Sequence, residues 1–96
     1  MATVIHGDFE WDDAKAEQNL RDHGVSFEEA VTAFEDERHL LTDDGTDRGN
    51  FLLIGFSLAG QMLTVVHVER GERDRIISAW PASRHEQTLY QGQHRP

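Results

Sequence analysis

The chain has 96 residues, which we expect to form one domain (residues 1–96), because two separate hydrophobic cores would need more chain. It contains no cysteine, which excludes disulfides, a thiol nucleophile and cysteine-based metal sites. No apolar run approaches the roughly 20 residues of a membrane span, and no signal-peptide pattern opens the chain, so we expect a cytoplasmic protein with no membrane contact.

The net charge of −9 by itself disfavours a nucleic-acid binder, since such proteins carry a basic footprint. However, the charge is unevenly distributed. Residues 1–48 contain four basic and fourteen acidic residues, a net charge of −10, whereas residues 49–96 contain five and four, a net charge of +1. A local cationic site in the second half is therefore compatible with the composition.

The first third of the chain predicts one strand and two helices. Residues 4–10 alternate loosely and predict a short edge strand. Asp12 or Asp13 can cap a helix that ends at Gly24, and a capping box over residues 26–29 begins a second helix. The buried stripe of this second helix, at the spacing i, i+3, i+4 and i+7, consists of Phe27, Ala30, Val31 and Phe34.

After residue 38 the hydrophobic period changes from helical to extended. Strands are predicted over residues 39–42, 51–57, 62–69 and 75–80. Short turns separate them, so the neighbours must be antiparallel and form a meander. Pro81 ends the last strand, a capping box over residues 83–86 begins a short helix to about Tyr90, and residues 91–96 are expected to fray. The predicted fold class is α+β, with two N-terminal helices, a four-stranded antiparallel meander sheet, a short C-terminal helix and a core spanning about residues 9–90.

Alternation along the last two predicted strands assigns side chains to faces. On the strand over residues 62–69, one face carries Leu63, Val65, His67 and Glu69. On the strand over residues 75–80, one face carries Arg75, Ile77 and Ala79, and the other carries Ile76, Ser78 and Trp80.

The hairpin between these strands gathers charged residues, namely Glu69, Arg70, Arg73 and Arg75. Two interpretations are open. The hairpin is either a solvated tip with surface ion pairs worth about 0–1 kcal/mol each, or an anion site in which arginines hold a phosphate and His67 transfers a proton.

Several other site classes are excluded or disfavoured. His67 and Glu69 have the His-x-Glu spacing of zinc nucleobase deaminases, but those enzymes need cysteines that this chain lacks. The other histidines show no metal-ligand spacing, so we predict no metal site and no cofactor. They are His6, His23, His39, His85 and His94. Glycine-rich nucleotide-binding loops and serine-hydrolase turns are also absent from the sequence.

The first predicted helix carries Trp11, Lys15, Asn19 and His23 at intervals of four residues, so they line one side of it. Lys15 is the only lysine of the chain. It is either a solvated side chain or an amine that faces the sheet and holds a phosphate.

Two separated motifs stand out over residues 9–90. The first is Phe9-Glu-Trp-Asp-Asp-Ala-Lys15, followed by Asn19 and by the segment His23-Gly-Val-Ser-Phe-Glu-Glu-Ala30. The second is Glu69-Arg70-Gly71 followed by Arg75-Ile-Ile-Ser-Ala79, with Glu86 and Tyr90 downstream. Together they resemble the BrnT family of toxins from type II toxin–antitoxin systems. The resemblance implies a RelE-like ribonuclease fold and a BrnA-like antitoxin that occludes the toxin and binds operator DNA.

The resemblance also extends to single positions. Lys15, Glu69, Arg75 and Ser78 stand where the family pattern has them. Trp80 and Phe56 stand where the family commonly has arginine, and Arg84 is the candidate replacement. These departures weaken the case for activity more than the case for the fold.

On this basis we predict a metal-independent endoribonuclease that cleaves RNA, with mRNA as the expected target. The catalytic candidates are His67, Glu69, Arg75, Ser78 and Arg84, and the RNA-binding candidates are Lys15, Arg70 and Arg73. The general base that accepts the ribose 2′-OH proton is either His67 or Glu69, and Arg75 with Arg84 or Lys15 would stabilise charge on the phosphate. Operator DNA is expected to be contacted only through the antitoxin.

Two alternatives to this prediction are open. The first is a catalytically degraded module that binds an antitoxin and modulates operon repression without cutting RNA. The second is a stand-alone acidic regulator with no neighbouring antitoxin gene.

Overall fold

The structure is a computed structural model that describes residues 2–46 and 48–93. In chain order its elements are β1 (Thr3–His6), β2 (Phe9–Asp12), α1 (Asp13–His23), α2 (Phe27–Thr32), a 3₁₀ turn (Ala33–Glu35), β3 (Leu40–Asp43), β4 (Phe51–Phe56), β5 (Met62–Arg70), β6 (Arg73–Pro81) and α3 (Arg84–Gly92). None of the helices in these two ranges has the length and apolar character needed to cross a membrane.

The strands form one mixed sheet in the order β1-β2-β6-β5-β4-β3. All neighbours are antiparallel except β2 and β6, which run parallel and pair Phe9 with Asp74 and Glu10 with Arg75. The predicted fold class, a four-stranded antiparallel meander preceded by two N-terminal helices, is therefore wrong. The chain begins with a β-hairpin that joins the meander through β2, and α1 and α2 connect β2 to β3.

The N-terminal hairpin has a local cause. The predicted single strand over residues 4–10 is interrupted at Gly7, which has a left-handed φ of 60° and lets the chain reverse before β2. The two halves then pair, with Val4 opposite Trp11. Trp11, which the helical spacing placed on the first helix, is instead a strand residue and only 2% exposed.

The ends of the helices follow the predicted capping signals closely. Gly24 adopts φ 71° after α1, and its N–H donates to the carbonyl of Leu20. α3 has the full capping box between Ser83 and Glu86. In α2 only half of the box forms, because the carboxylate of Glu29 accepts a hydrogen bond from Ser57 instead. At the C-terminal end, helix α3 continues through residue 92. The fraying expected for residues 91–96 stays a prediction, and residues 94–96 lie outside the described residues.

Helices cover both faces of the sheet. On one face α1 and α2 bury the main core, in which the rings of Trp11 and Phe27 meet edge to face at 5.8 Å. On the other face α3 covers Ile54 with Ala82 and Tyr90.

Tyr90 anchors α3 to the chain before β3. Its hydroxyl donates to Asp36 over 2.7 Å. Burial and this bond raise the pKa of Tyr90 to about 12. Burial opposes ionisation of Asp36, but the hydrogen bonds from Phe56, Tyr90 and Arg38 hold the pKa of its carboxyl below the ordinary value.

A β-bulge in β6 changes which residues share a face. Val66 pairs with Ser78 and His67 pairs with Ile76, so Ile77 is an extra residue. The faces that strict alternation predicted for β6 are therefore wrong. Ile76 and Ala79, three residues apart, are both buried in the main core. Conversely, Arg75, Ser78 and Trp80 lie opposite Val68, Val66 and Thr64, which share the other face of β5.

Candidate functional site

Helix α1 closes the edge of β6 through the side chain of Asn19. The Asn19 amide nitrogen donates to the carbonyls of Ala79 at 2.8 Å and Val25 at 3.0 Å, and its oxygen accepts from the Ala79 N–H at 3.1 Å. The carboxamide thus pairs with both backbone groups of Ala79, as a neighbouring strand would. Asn19 is 6% exposed, so these bonds are made away from water and fix the distance between α1 and β6.

Beside Asn19 an open pocket of about 190 Å³ separates α1 from β6, and we call it the α1–β6 pocket. Its lining residues are Lys15, Gln18, Asn19, Asp22, His23, Ile77 and Ser78. Lys15 and Ser78, which are far apart in the sequence, meet here because β2 leads directly into α1 alongside β6. The Ser78 hydroxyl donates to the Asn19 oxygen over 3.0 Å, which leaves Ser78 able to accept a further hydrogen bond but not to donate one.

Trp80 extends this site toward α3. Its ring lies 6.2 Å from the ring of His23, and its Nε1 donates to Glu86 at 3.1 Å. Burial opposes ionisation of Glu86, but hydrogen bonds from Ser83 and Trp80 keep the pKa of its carboxyl below the ordinary value. The ionised carboxylate therefore holds both the start of α3 and the indole of Trp80.

Arg75 lies on the same face of the sheet as Ser78, and because the two are opposite Val68 and Val66, they are about 7 Å apart along the strand. Its guanidinium forms a salt bridge of 2.6 Å with Glu10 on β2, and both side chains are less than one-fifth exposed. The parallel pairing of β2 with β6 creates this contact. Sequence reasoning had no basis for finding it, because Glu10 belongs to a strand whose partner was not predicted.

His67 is buried in the core face of β5. It is 4% exposed and its ring packs against the rings of Phe34 and Phe51. Desolvation lowers the pKa of His67, although Asp74, whose carboxylate is 3.7 Å from Nδ1, opposes this effect. Burial therefore favours the neutral imidazole and leaves almost none of the ring accessible.

Two of the predicted residues near the β5–β6 turn, Glu69 and Arg73, line another pocket, of about 210 Å³, which we call the hairpin pocket. It is lined by Asp8, Glu69, Gly71, Glu72, Arg73 and Asp74, so four carboxylates face one guanidinium. Arg73 donates to the carbonyl of Gly7, and Arg70 is exposed at the end of β5. This balance of charge disfavours a phosphate.

The structure therefore divides the predicted site. Lys15 and Ser78 come together in the α1–β6 pocket. Arg75 lies further along β6, on the same face of the sheet as Ser78. Glu69, Arg70 and Arg73 lie at the hairpin, and His67 lies beneath it in the core. Arg84 is exposed in the first turn of α3. Within residues 2–46 and 48–93 no group of three or more His, Asp or Glu side chains is arranged to hold a metal ion.

The predicted site omitted five of the seven lining residues, and Asn19 and His23 are the two of these that the sequence analysis had noted on the same side of the helix as Lys15. The signal that could have found them is their spacing of four residues from Lys15, which places all three on one side of α1.

The fold and the pocket define a small α+β domain in which a helix closes the edge of a mixed sheet over a polar cleft that contains Lys15 and Asp22. A family model described as the ribonuclease toxin BrnT of type II toxin–antitoxin systems matches residues 11–86. The chain belongs to this BrnT family of toxins. All lining residues of the α1–β6 pocket lie within the matched range.

A solved structure shows the same fold. The 1.1 Å crystal structure of the Brucella abortus ribonuclease toxin BrnT matches with a TM-score of 0.62 at 21% sequence identity, over 77% of this chain and 94% of that chain. A comparison with curated protein sequences finds no significant match.

Proposed function

We propose that this chain is the toxin of a type II toxin–antitoxin pair and cleaves RNA, with mRNA as its target, in the α1–β6 pocket. The observation that carries the proposal is the convergence of Lys15, His23 and Ser78 in one open pocket of a chain whose family consists of ribonuclease toxins. An ammonium, an imidazole and a hydroxyl within one pocket are the groups that RNA cleavage without a metal ion needs.

In the proposed reaction the ribose 2′-OH attacks the neighbouring phosphate, a 2′,3′-cyclic phosphate forms, and the 5′-oxygen leaves with a proton taken from water. His23 lines the pocket from the last turn of α1 and accepts the 2′-OH proton. Ser78, whose own proton is engaged by Asn19, accepts a hydrogen bond from the 2′-OH of the adjacent nucleotide. General acid–base catalysis of this kind contributes about 10²–10⁴-fold.

Positive charge on the phosphate side comes from two groups. Lys15 lies in the pocket itself. Arg75 keeps N–H donors beyond the one that it gives to Glu10, because a guanidinium has five. Preorganised cations of this kind stabilise the charge that develops on a phosphate in the transition state.

Trp80 supplies an aromatic surface next to the pocket. Its half-buried ring is held by Glu86 and lies beside His23. Stacking on aromatic side chains is how proteins commonly hold unpaired RNA bases, and it contributes about 1–3 kcal/mol per base. We assign to Trp80 the base next to the scissile phosphate.

The general base is the point on which this proposal departs from the sequence-based prediction. A base must come within hydrogen-bond reach of the proton it removes. His67 is buried under two phenylalanine rings and Glu69 lies in the acidic hairpin pocket, so His23 meets this requirement better. The assignment of the base to His67 or Glu69 stays a prediction.

The family also implies an antitoxin partner. We propose that it is BrnA-like, that it binds operator DNA and that the toxin reaches the operator only through it. We further propose that the pair acts in the cytoplasm, where its RNA target is found.

The test is cleavage of a single-stranded RNA by the purified chain in the presence of EDTA. We expect 2′,3′-cyclic phosphate ends, no cleavage where the 2′-OH at the cut site is replaced by hydrogen, and at least about 10²-fold slower cleavage by Lys15→Met. Arg21→Met, which removes an exposed cation from the same helix outside the pocket, is the matched control.

Three outcomes would overturn this proposal. Loss of activity on chelation excludes the metal-independent mechanism, and equal activity of Lys15→Met and Arg21→Met excludes the pocket. RNA that stays intact at high enzyme concentration, with no growth arrest on expression of the chain alone, supports the catalytically degraded module instead.

A further inference from the structure

A second concave surface lies on the opposite side of α1, between that helix, the start of α2 and the N-terminal hairpin. This groove encloses about 270 Å³. Buried Trp11 and Phe27 form its base, and its apolar walls are Val4, Ala16 and Leu20. Leu20 is 51% exposed, so the apolar wall continues onto the surface. The groove therefore presents accessible apolar surface along one side of α1.

The rim of the groove is acidic. Asp13 and Glu17 of α1 and Glu28 of α2 line it, and no basic residue is among its lining residues in the described part of the chain. The groove also belongs to the half of the chain with a net charge of −10. This charge selects a positively charged occupant and would speed its approach at low ionic strength.

Helix α1 separates the groove from the α1–β6 pocket. Lys15, Asn19 and His23 face the pocket, whereas Ala16 and Leu20 face the groove. An occupant of the groove therefore does not need to displace RNA from the pocket.

We infer that the groove is the docking site for a basic amphipathic helix of a partner protein. Its apolar residues, at the spacing i, i+3, i+4 and i+7, lie on the accessible walls formed by Val4, Ala16 and Leu20, and its flanking lysines or arginines pair with Glu17 and Glu28. A groove walled by two helices, with an apolar base and charged edges, has the form that receives a helix. This inference goes beyond RNA cleavage and does not depend on it, because no groove residue is assigned to the reaction.

The test uses a fluorescein-labelled 18-residue peptide of leucine and lysine with leucine at helical spacing, and a peptide of the same composition in scrambled order. Binding to the full chain is measured by fluorescence anisotropy. We expect the helical peptide to bind at least about 10-fold more tightly than the scrambled one, and the affinity to fall as salt is raised.

Two pairs of variants locate the binding. Leu20→Lys and Glu17→Lys change the groove, whereas Leu89→Lys and Glu37→Lys place the same substitutions at exposed positions elsewhere. We expect each groove variant to weaken binding at least about 10-fold and each control to stay within about twofold, with RNA cleavage unchanged in Leu20→Lys. Circular dichroism confirms that the four variants are folded.

Equal binding by all four variants, or by the scrambled peptide, would overturn the inference. Self-association of the chain is measured by sedimentation. If the chain self-associates and Leu20→Lys abolishes the association, the groove is assigned to a second copy of the chain instead. Because peptide binding and RNA cleavage are separate readouts, failure of one leaves the other interpretable.

Discussion

The α1–β6 pocket and the hairpin pocket are similar in volume but differ in charge. In the hairpin pocket, Glu69, Glu72 and Asp74 from the same turn, together with Asp8 from the N-terminal hairpin, place four carboxylates beside Arg73. In the α1–β6 pocket, residues from distant segments bring Lys15 and His23 against Ser78, with one carboxylate, that of Asp22, among the lining residues. A cluster of arginines in the sequence is therefore a poor guide to a cationic site, because its carboxylate neighbours fold with it, whereas a lone lysine on an acidic helix can face a polar strand.

The largest expected effect tests the histidine of the α1–β6 pocket. His23→Ala should lower the rate of RNA cleavage by about 10²-fold or more, because the proposed general base is lost. His85→Ala, which removes an exposed imidazole from α3, is the matched control and should stay near the wild-type rate. Single-turnover cleavage assays measure both, and a wild-type rate for His23→Ala would remove this residue from the mechanism.

The next effect tests whether Asn19 builds the α1–β6 pocket. Asn19→Ala leaves the backbone groups of Ala79 and the carbonyl of Val25 without their side-chain partner. Since each buried group left unpaired costs about 1–3 kcal/mol, we expect the free energy of unfolding to fall by roughly 3 kcal/mol. Urea denaturation measures the change. Gln18→Ala, at the exposed preceding position, should change it by less than about 0.5 kcal/mol, and equal effects of the two would show that the edge pairing contributes little.

A smaller effect concerns His67, beneath the hairpin pocket. Desolvation holds the pKa of folded His67 below the ordinary value of 6.5, so the unfolded chain binds more protons as the pH falls through this range. The stability contributed by neutral His67 is present in full above pH 6.5 and is lost as the pH falls toward the folded pKa. Denaturation between pH 7.5 and 5 should therefore show falling stability, and a smaller fall in His67→Phe. Identical slopes for the two proteins would contradict the burial of a neutral imidazole.

The smallest effect is expected at the hairpin surface itself. Glu72→Gln removes one of four carboxylates from an exposed turn, so its effect on the free energy of unfolding should stay within about 0.5 kcal/mol. RNA cleavage should change less than twofold. A large gain in cleavage would show that the carboxylates of the hairpin pocket restrain an RNA site there.

Local signals in the sequence predicted local structure well. Gly24 after the periodic residues and the box between Ser83 and Glu86 placed the end of α1 and the start of α3, and both predictions are confirmed. The sheet was predicted wrongly because the parallel pairing of β2 with β6 depends on distant contacts and leaves no local pattern. The bulge at Ile77 was missed for a similar reason, since isoleucine is compatible with either face.

In the candidate site, too, some features were predicted from the sequence and others depend on contacts between distant segments. Lys15 and Ser78 came from the family resemblance, and the structure brings them together without testing their roles. The alternation of β5 placed His67 on the same face as Leu63 and Val65, and that face is the core face. Only the packing of Phe34 and Phe51 over the ring shows that His67 is inaccessible.

The most direct test of the pocket assignment removes one cation from each pocket. Lys15→Met and Arg73→Met are compared in single-turnover cleavage of the same RNA, with enzyme in excess and EDTA present. We expect Lys15→Met to cleave at least about 10²-fold more slowly than the wild type and Arg73→Met to stay within about threefold. A wild-type rate for Lys15→Met together with a large loss in Arg73→Met would contradict cleavage in the α1–β6 pocket and place it at the hairpin.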